Sequence, residues 1–293
     1  MSIRKRAAAA LAALLGLCVL LAVVAVPRTP AAQTADVAIL MYHAFTENEA
    51  ETSSLCTLAS EFERQLSALR DAGYTSVGYA DLIEFVNGKG ELPEKPLLIS
   101  IDDGYQNNLD LAAPLLETYG FCANIAVIGV SIGHTTYKDT DIPITPHFSL
   151  EDARPWIERG VLTVTTHSYD MHQVAAVDGA GCRRGVLQMR GEAESDYIAA
   201  LTQDYTRAQE QLAGLPGTPL PVFTYPNGAY SELSERVLQE QGVQVTVTTE
   251  GGANRLVKGE PETLRLLHRI HVWRGTKPDM LLSRIDGALQ ALR

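Results

Sequence analysis

Hydrophobic and polar positions along this chain switch repeatedly between two periods, and the switching predicts strands interleaved with helices. Residues 37–42 are an apolar run of strand length. Residues 61–72 place Phe62, Leu66 and Leu69 at helical spacing and stop at Gly73. Residues 96–101 form a second buried-strand run. Residues 109–119 return to the helical period, with Asn107 or Asn108 as cap and Gly120 as stop. Further strands are expected at 122–130, 161–165, 222–225 and 243–248. Helices are expected to end at 159 and to cover 197–212, 232–241 and 280–292, with an extended stretch over 263–272. Such alternation implies an α/β fold with a parallel sheet. Six or seven strand–helix units in about 250 residues suit a (β/α) barrel, with an open doubly wound sheet as the alternative. Either arrangement collects a site at the C-terminal ends of its strands.

The start of the chain breaks this pattern. Arg4-Lys5-Arg6 precedes residues 7–26, which carry no charge. A basic start followed by an apolar run is an export pattern, and this run is also long enough to span a bilayer. The positive-inside bias would then leave the rest of the chain outside the cytoplasm. Residues 1–35 are therefore expected to be a signal peptide or membrane anchor plus linker, and residues 36–293 a single domain. Hydrophobic residues make up 46% and charged residues 20%, enough for a sizeable core. The net charge of −11 argues against nucleic acid as a partner, which wants a basic face. Cys18 lies in the apolar run. Cys56, Cys122 and Cys182 are odd in number and define no disulfide framework, and no Cys-x-x-Cys pair offers a thiolate zinc site.

Candidate chemistry lies where predicted strands end. Ser100-Ile101-Asp102-Asp103-Gly104-Tyr105 puts two carboxylates side by side, an arrangement a cation would relieve. Neighbouring side chains on a strand point to opposite faces, so one Asp can ligate while the other faces substrate. His167 and His172 are five residues apart; on a helix they would diverge by about 140°, so they converge only if the chain turns after His167. Two imidazoles and one carboxylate leave an open position for water, the layout of a catalytic metal site. Tyr225-Pro226-Asn227-Gly228 is either a plain turn or a loop whose backbone N–H groups face a reacting oxygen. Tyr42-His43 ends the first strand, and Leu267-His268-Arg269-Ile270-His271 brings a cation and two imidazoles to another.

The order of these segments resembles the polysaccharide deacetylases of carbohydrate esterase family 4, the NodB-homology domain. Asp102-Asp103-Gly104 resembles that family's first motif, His167 through His172 its second, and Tyr225-Pro226-Asn227-Gly228 its third, over roughly residues 37 to 275. The usual second motif spaces its histidines by four. The spacing of five, together with Tyr42-His43, resembles the branch containing poly-N-acetylglucosamine deacetylases. The third motif usually carries Arg where Thr224 stands, and the usual fourth motif is not recognisable.

The resemblance implies a distorted (β/α)7-type barrel and a metal site of Asp103, His167 and His172 holding zinc (Zn2+), cobalt or nickel. Asp102 would be the base, His43 the general acid with His268 and His271 as rivals, and Arg269 the replacement cation. Asn227 and Tyr225 would stand at the substrate and its oxyanion. Tyr42, Tyr105, Tyr169 and Tyr225 are candidates for sugar stacking or for core positions. The implied substrate is an acetylated glycan of the cell wall or extracellular matrix, deacetylated at nitrogen. Acetyl-xylan or other O-acetyl ester hydrolysis on the same metal site, and a non-catalytic glycan-binding protein, are the competing readings.

Overall fold

A computed structural model of the protein describes residues 33–293. The basic start and the apolar run at 7–26 lie outside the described residues. Among the described residues, no helix is long and apolar enough to cross a membrane.

The described chain forms eleven strands: β1 (Thr34–Tyr42), β2 (Ala44–Thr46), β3 (Cys56–Leu58), β4 (Thr75–Ser76), β5 (Pro96–Asp103), β6 (Ala123–Val127), β7 (Leu162–Thr166), β8 (Val222–Thr224), β9 (Val245–Val247), β10 (Ala253–Val257) and β11 (Ile270–His271). Seven of them make a curled half-barrel in the order β10-β1-β5-β6-β7-β8-β9. The steps from β1 to β9 are parallel, and β10 runs antiparallel to β1. The gap between β9 and β1 is spanned by the segment ahead of β11: Leu267 bridges Val247, and Ile270 pairs with Leu40. This is the distorted (β/α)7 barrel expected, with one antiparallel strand that the sequence pattern did not show.

Burial explains the pattern. All eight positions of β5 are buried, and β6 is buried at all five, so both read as continuous apolar runs rather than alternating ones. Helix Ala59–Asp71 buries Phe62, Leu66 and Leu69 as its spacing predicts, and also Gln65, whose amide receives the Tyr42 hydroxyl at 2.9 Å. Helices Leu150–Glu158, Glu194–Leu212, Glu232–Glu240 and Pro278–Gln290 stand where expected. Thr34 and Ala35, assigned to the linker, are the first residues of β1, paired with Val257 and Leu256.

Two local expectations fail. Residues 109–119 are not one α-helix: a wide π turn over Asn108–Ala112 precedes the helix Ala113–Tyr119, which stops at Gly120 in the left-handed region. Neither Asn107 nor Asn108 caps it. Asn107 Oδ1 accepts from the Phe45 N–H at 3.0 Å, and Asn108 Nδ2 donates to the His43 carbonyl at 2.7 Å. Both amides are committed to the chain after β1.

Register aligns the functional strand ends. Tyr42 pairs with Ile101, Asp103 with Val127, Val127 with Thr166, Thr166 with Phe223, and Thr224 with Val247. His43, the Asp pair, His167 and the Pro226 turn therefore leave the same end of the sheet.

Candidate active site

Asp102 and Asp103 end β5 and diverge. Asp103 has φ 75° and Gly104 φ 84°, so the strand turns sharply there. A Cβ on Gly104 would meet Val127 Cγ1 at 2.8 Å, too close for any other residue without displacement. The Asp102 carboxylate turns to the closing segment, where Arg269 meets it with both arms: Nη1–Oδ1 at 2.7 Å and Nη2–Oδ2 at 2.8 Å. Arg269 is fully buried; its Nε donates to the Thr248 carbonyl at 2.7 Å and Nη1 also to Ser100 Oγ at 3.0 Å. Burial on its own would raise the Asp102 pKa. The Arg269 guanidinium, helped by His167 and His43, outweighs it and holds the carboxyl well below the usual carboxylate range.

Asp103 faces the histidines. Ser168 has φ 72°, so the chain turns after His167 and both imidazoles swing to the same carboxylate oxygen. His167 Nε2 and His172 Nε2 each lie 3.8 Å from Asp103 Oδ1. That oxygen is buried with no hydrogen-bond partner. His167 Nδ1 lies 2.8 Å from the Thr224 carbonyl, which can only accept, so the proton sits on Nδ1 and Nε2 presents a lone pair. Burial pushes the His167 pKa down to about 4, which keeps the ring neutral at ordinary pH.

The turn between the histidines is held from helix Glu194–Leu212. Asp204 accepts the Tyr169 N–H at 2.8 Å and the Asp170 N–H at 2.7 Å. On the other side Lys138 pairs with the Asp170 carboxylate at 2.7 Å and with Asp178 at 2.8 Å.

Three histidines competed for a place beside Asp102. His43 Nε2 lies 3.8 Å from Asp102 Oδ2. His271 is a neighbour of His43, with ring centroids 6.1 Å apart, but its Nε2 donates to the Ser54 carbonyl at 3.0 Å. His268 points away to Glu250 at 3.5 Å and is well exposed. The geometry therefore brings together Asp102, Asp103, His167, His172, His43 and Arg269, and leaves out His268.

Asn227 stands in the turn after β8 with φ 57°, the third strand-end residue in the left-handed region after Asp103 and Ser168. Tyr225 must be corrected. Its ring is fully buried, its hydroxyl donates to Glu235 Oε1 at 2.6 Å, and its N–H donates to the Val247 carbonyl at 2.9 Å. An aromatic ring at a strand end is drawn into the core against Phe223, so the Tyr225 ring takes the core position and is no platform for a sugar. Tyr42 is likewise a core residue, and the Tyr169 ring is covered by Arg207.

A cleft of about 260 Å³ opens beside Asp103 and His172. A second cleft, about 320 Å³, opens beside Ala44 and Asn107 and shares Tyr105 and Thr145 with the first. His147 lines the first cleft; its ring packs against Tyr105 at 4.8 Å, and both its nitrogens are buried without partners. His147, Asp204, Asn107 and Asn108 are the residues sequence reasoning missed. Each acts across a fold contact, and no spacing pattern marks such contacts. The described cysteines Cys56, Cys122 and Cys182 are free thiols.

With this geometry in place, comparison with known proteins gives the family. Residues 89–246 match the family model for polysaccharide deacetylase. The Putative polysaccharide deacetylase YxkH of Bacillus subtilis is 27% identical over 238 residues, covering 81% of this chain and 72% of that protein. The Poly-beta-1,6-N-acetyl-D-glucosamine N-deacetylase of Escherichia coli K12 is 21% identical over 226 residues, 73% of this chain but only 34% of that protein. Among solved structures, a de-N-acetylase from Aggregatibacter actinomycetemcomitans shares the fold at a TM-score of 0.73 and 18% identity, covering 85% of this chain and 100% of that one. The matched segment runs through both Asp102-Asp103 and the two histidines, and the chain belongs to the polysaccharide deacetylase family.

Proposed function

We propose that this protein is an exported, metal-dependent hydrolase that removes acetyl groups from the amide nitrogens of an N-acetylglucosamine-containing polysaccharide. The observation that carries the reading is the split role of the Asp pair. Asp102 is clasped by Arg269 within reach of His43, while Asp103 leaves a bare buried oxygen between two imidazole nitrogens. The basic, then apolar, start of the chain supports export.

The donor set fits a metal. One carboxylate oxygen and two imidazole nitrogens suit zinc, cobalt or nickel. The Asp103 oxygen lies 3.8 Å from each imidazole nitrogen, a separation open to ligand atoms about 2.0–2.2 Å from a shared ion, and the three ligand atoms all lie within 4.8 Å of one another. An ion held by Asp103, His167 and His172 would polarise the acetyl carbonyl and make a water more acidic.

The protein's own groups supply the rest. Asp102 accepts the proton of the attacking water; the Arg269 fork keeps its carboxylate ionised and fixed in direction. The Asn227 N–H, at the turn after β8, donates to the oxygen that gains charge. His43 Nε2 gives a proton to the departing nitrogen. An amine leaves poorly without that proton, whereas an alcohol needs it less, so His43 beside Asp102 favours an N-acetyl over an O-acetyl substrate. The name of the E. coli relative points to the same bond.

The test is acetate release from a small panel of N-acetylated and O-acetylated glycans, with and without chelator. Release from acetylated glucosamine oligomers that stops with chelator and returns with added zinc is expected. Release from O-acetyl xylan alone would replace the reading with an esterase, and no release with no bound metal would replace it with a binding protein.

A further inference from the structure

The two clefts differ in chemistry and in what they touch. The one beside Asp103 and His172 is walled mainly by Ile128, Val130, Ile144, Val174 and the rings of Tyr105 and Tyr137, with His147 as a further ring. The other begins at Ala44, directly after His43, and carries Thr46, Glu51, Ser53 and Asn107. The departing nitrogen must lie at His43, so the sugar it belongs to occupies the polar side. The acyl chain leaves the same carbonyl carbon in another direction, toward Asp103 and the apolar side.

A methyl group needs on the order of 30 Å³, the share of one water in the liquid. The apolar cleft offers about 260 Å³. We propose that it is an acyl pocket roomier than acetyl requires, and that the protein also hydrolyses longer N-acyl groups, propionyl and butyryl among them, from amino sugars. This inference rests on the deacetylase reading. The reaction balances as for acetyl: water oxygen forms the new C–O bond to the acyl carbon, the C–N bond breaks, and the water proton ends on the nitrogen. The products are a carboxylic acid and a free amine.

The experiment measures free amine from glucosamine oligomers of one length carrying N-acetyl, N-propionyl or N-butyryl groups, for the wild type and for Val174→Trp. Val174 is exposed at the cleft rim, so a larger ring can enter the space without disturbing the core. The expected wild-type kcat/KM for butyryl lies within roughly tenfold of that for acetyl, since added methylenes lie along an apolar wall of an open cleft rather than clashing. In Val174→Trp the butyryl-to-acetyl ratio should fall at least about tenfold. Acetyl release without propionyl or butyryl release overturns this inference and leaves the deacetylase reading standing. A Val174→Trp enzyme whose butyryl-to-acetyl ratio is unchanged also overturns it. No release from any of the three overturns both.

Discussion

Arg269 and Asp102 are 167 residues apart and meet through two hydrogen bonds of 2.7 and 2.8 Å, sealed from solvent. The guanidinium comes from the segment that closes the barrel and the carboxylate from a central strand. Barrel closure and the pairing of Asp102 are thus one structural event. In Arg269→Ala the carboxylate is left buried and unpaired, which costs about 3–5 kcal/mol. The folded Asp102 pKa is held below its unfolded value, so the pair's contribution is complete above about pH 4 and is lost as pH falls through the folded value. Melting curves should show the gap between wild type and Arg269→Ala shrinking below pH 4. With burial unopposed, the acid limb of the variant's rate profile should move to higher pH. Arg269→Lys keeps the charge but not the fork and should fall between the two.

The two neighbouring carboxylates should separate cleanly under mutation. Asp102→Asn is expected to keep its metal and lose roughly 10²–10⁴ in turnover. Asp103→Ala removes the oxygen that faces both imidazoles and should lose metal and turnover together. Metal analysis after desalting, run beside acetate release, checks both. An Asp102→Asn protein of normal activity would remove the base assignment.

His43 is separable from its rivals in the same way. His43→Ala should cost about 10²–10⁴ on N-acetyl substrates and distinctly less on an activated acetyl ester, whose alcohol needs no proton to leave. His268→Ala, which removes only the exposed contact with Glu250, should stay within about twofold of wild type, a surface change. Steady-state rates on the two substrate types decide it; equal losses for amide and ester in His43→Ala would assign that histidine another role.

The parts of this site that were legible in sequence are those encoded locally. An apolar run ending in Asp102-Asp103-Gly104 announces a buried strand and its tip, and the five-residue step from His167 to His172 demands a turn that Ser168 supplies. Parts that depend on distant partners were not legible. Asn107 and Asn108 sit where a helix cap belongs, yet their amides find the chain around His43 instead. Tyr225 has the composition of a sugar platform, yet Phe223 and Glu235 draw it inward. Helix Tyr79–Val86 went unread because it is short and buried at five of its eight positions, so its period is blurred. Strand β10 went unread because it is short and its edge position exposes Arg255 to pair with Asp36.

Asp204 carries the last prediction, because it touches neither histidine and still holds the turn between them. Burial pushes its pKa up to about 6, against the opposing pull of the Asp170 and Tyr169 N–H groups. Between about pH 4 and pH 6 the folded protein therefore keeps a proton that the unfolded chain has released, and stability falls as pH rises through that window. Asp204→Asn cannot titrate, so its melting temperature should gain on wild type between pH 4 and pH 7. Its single acceptor oxygen, however, can serve only one of the two N–H groups, and the other faces an NH2. The turn should loosen and the affinity for zinc should drop roughly 10–100-fold, as for other residues that orient metal ligands from behind. Competition with a chromophoric chelator at pH 7 measures the affinity, and melts across pH measure the linkage. Unchanged zinc affinity would mean that the turn is kept by its remaining bonds, the Gly129 N–H to the Ser168 carbonyl at 3.0 Å and the Val130 N–H to the Tyr169 carbonyl at 2.9 Å.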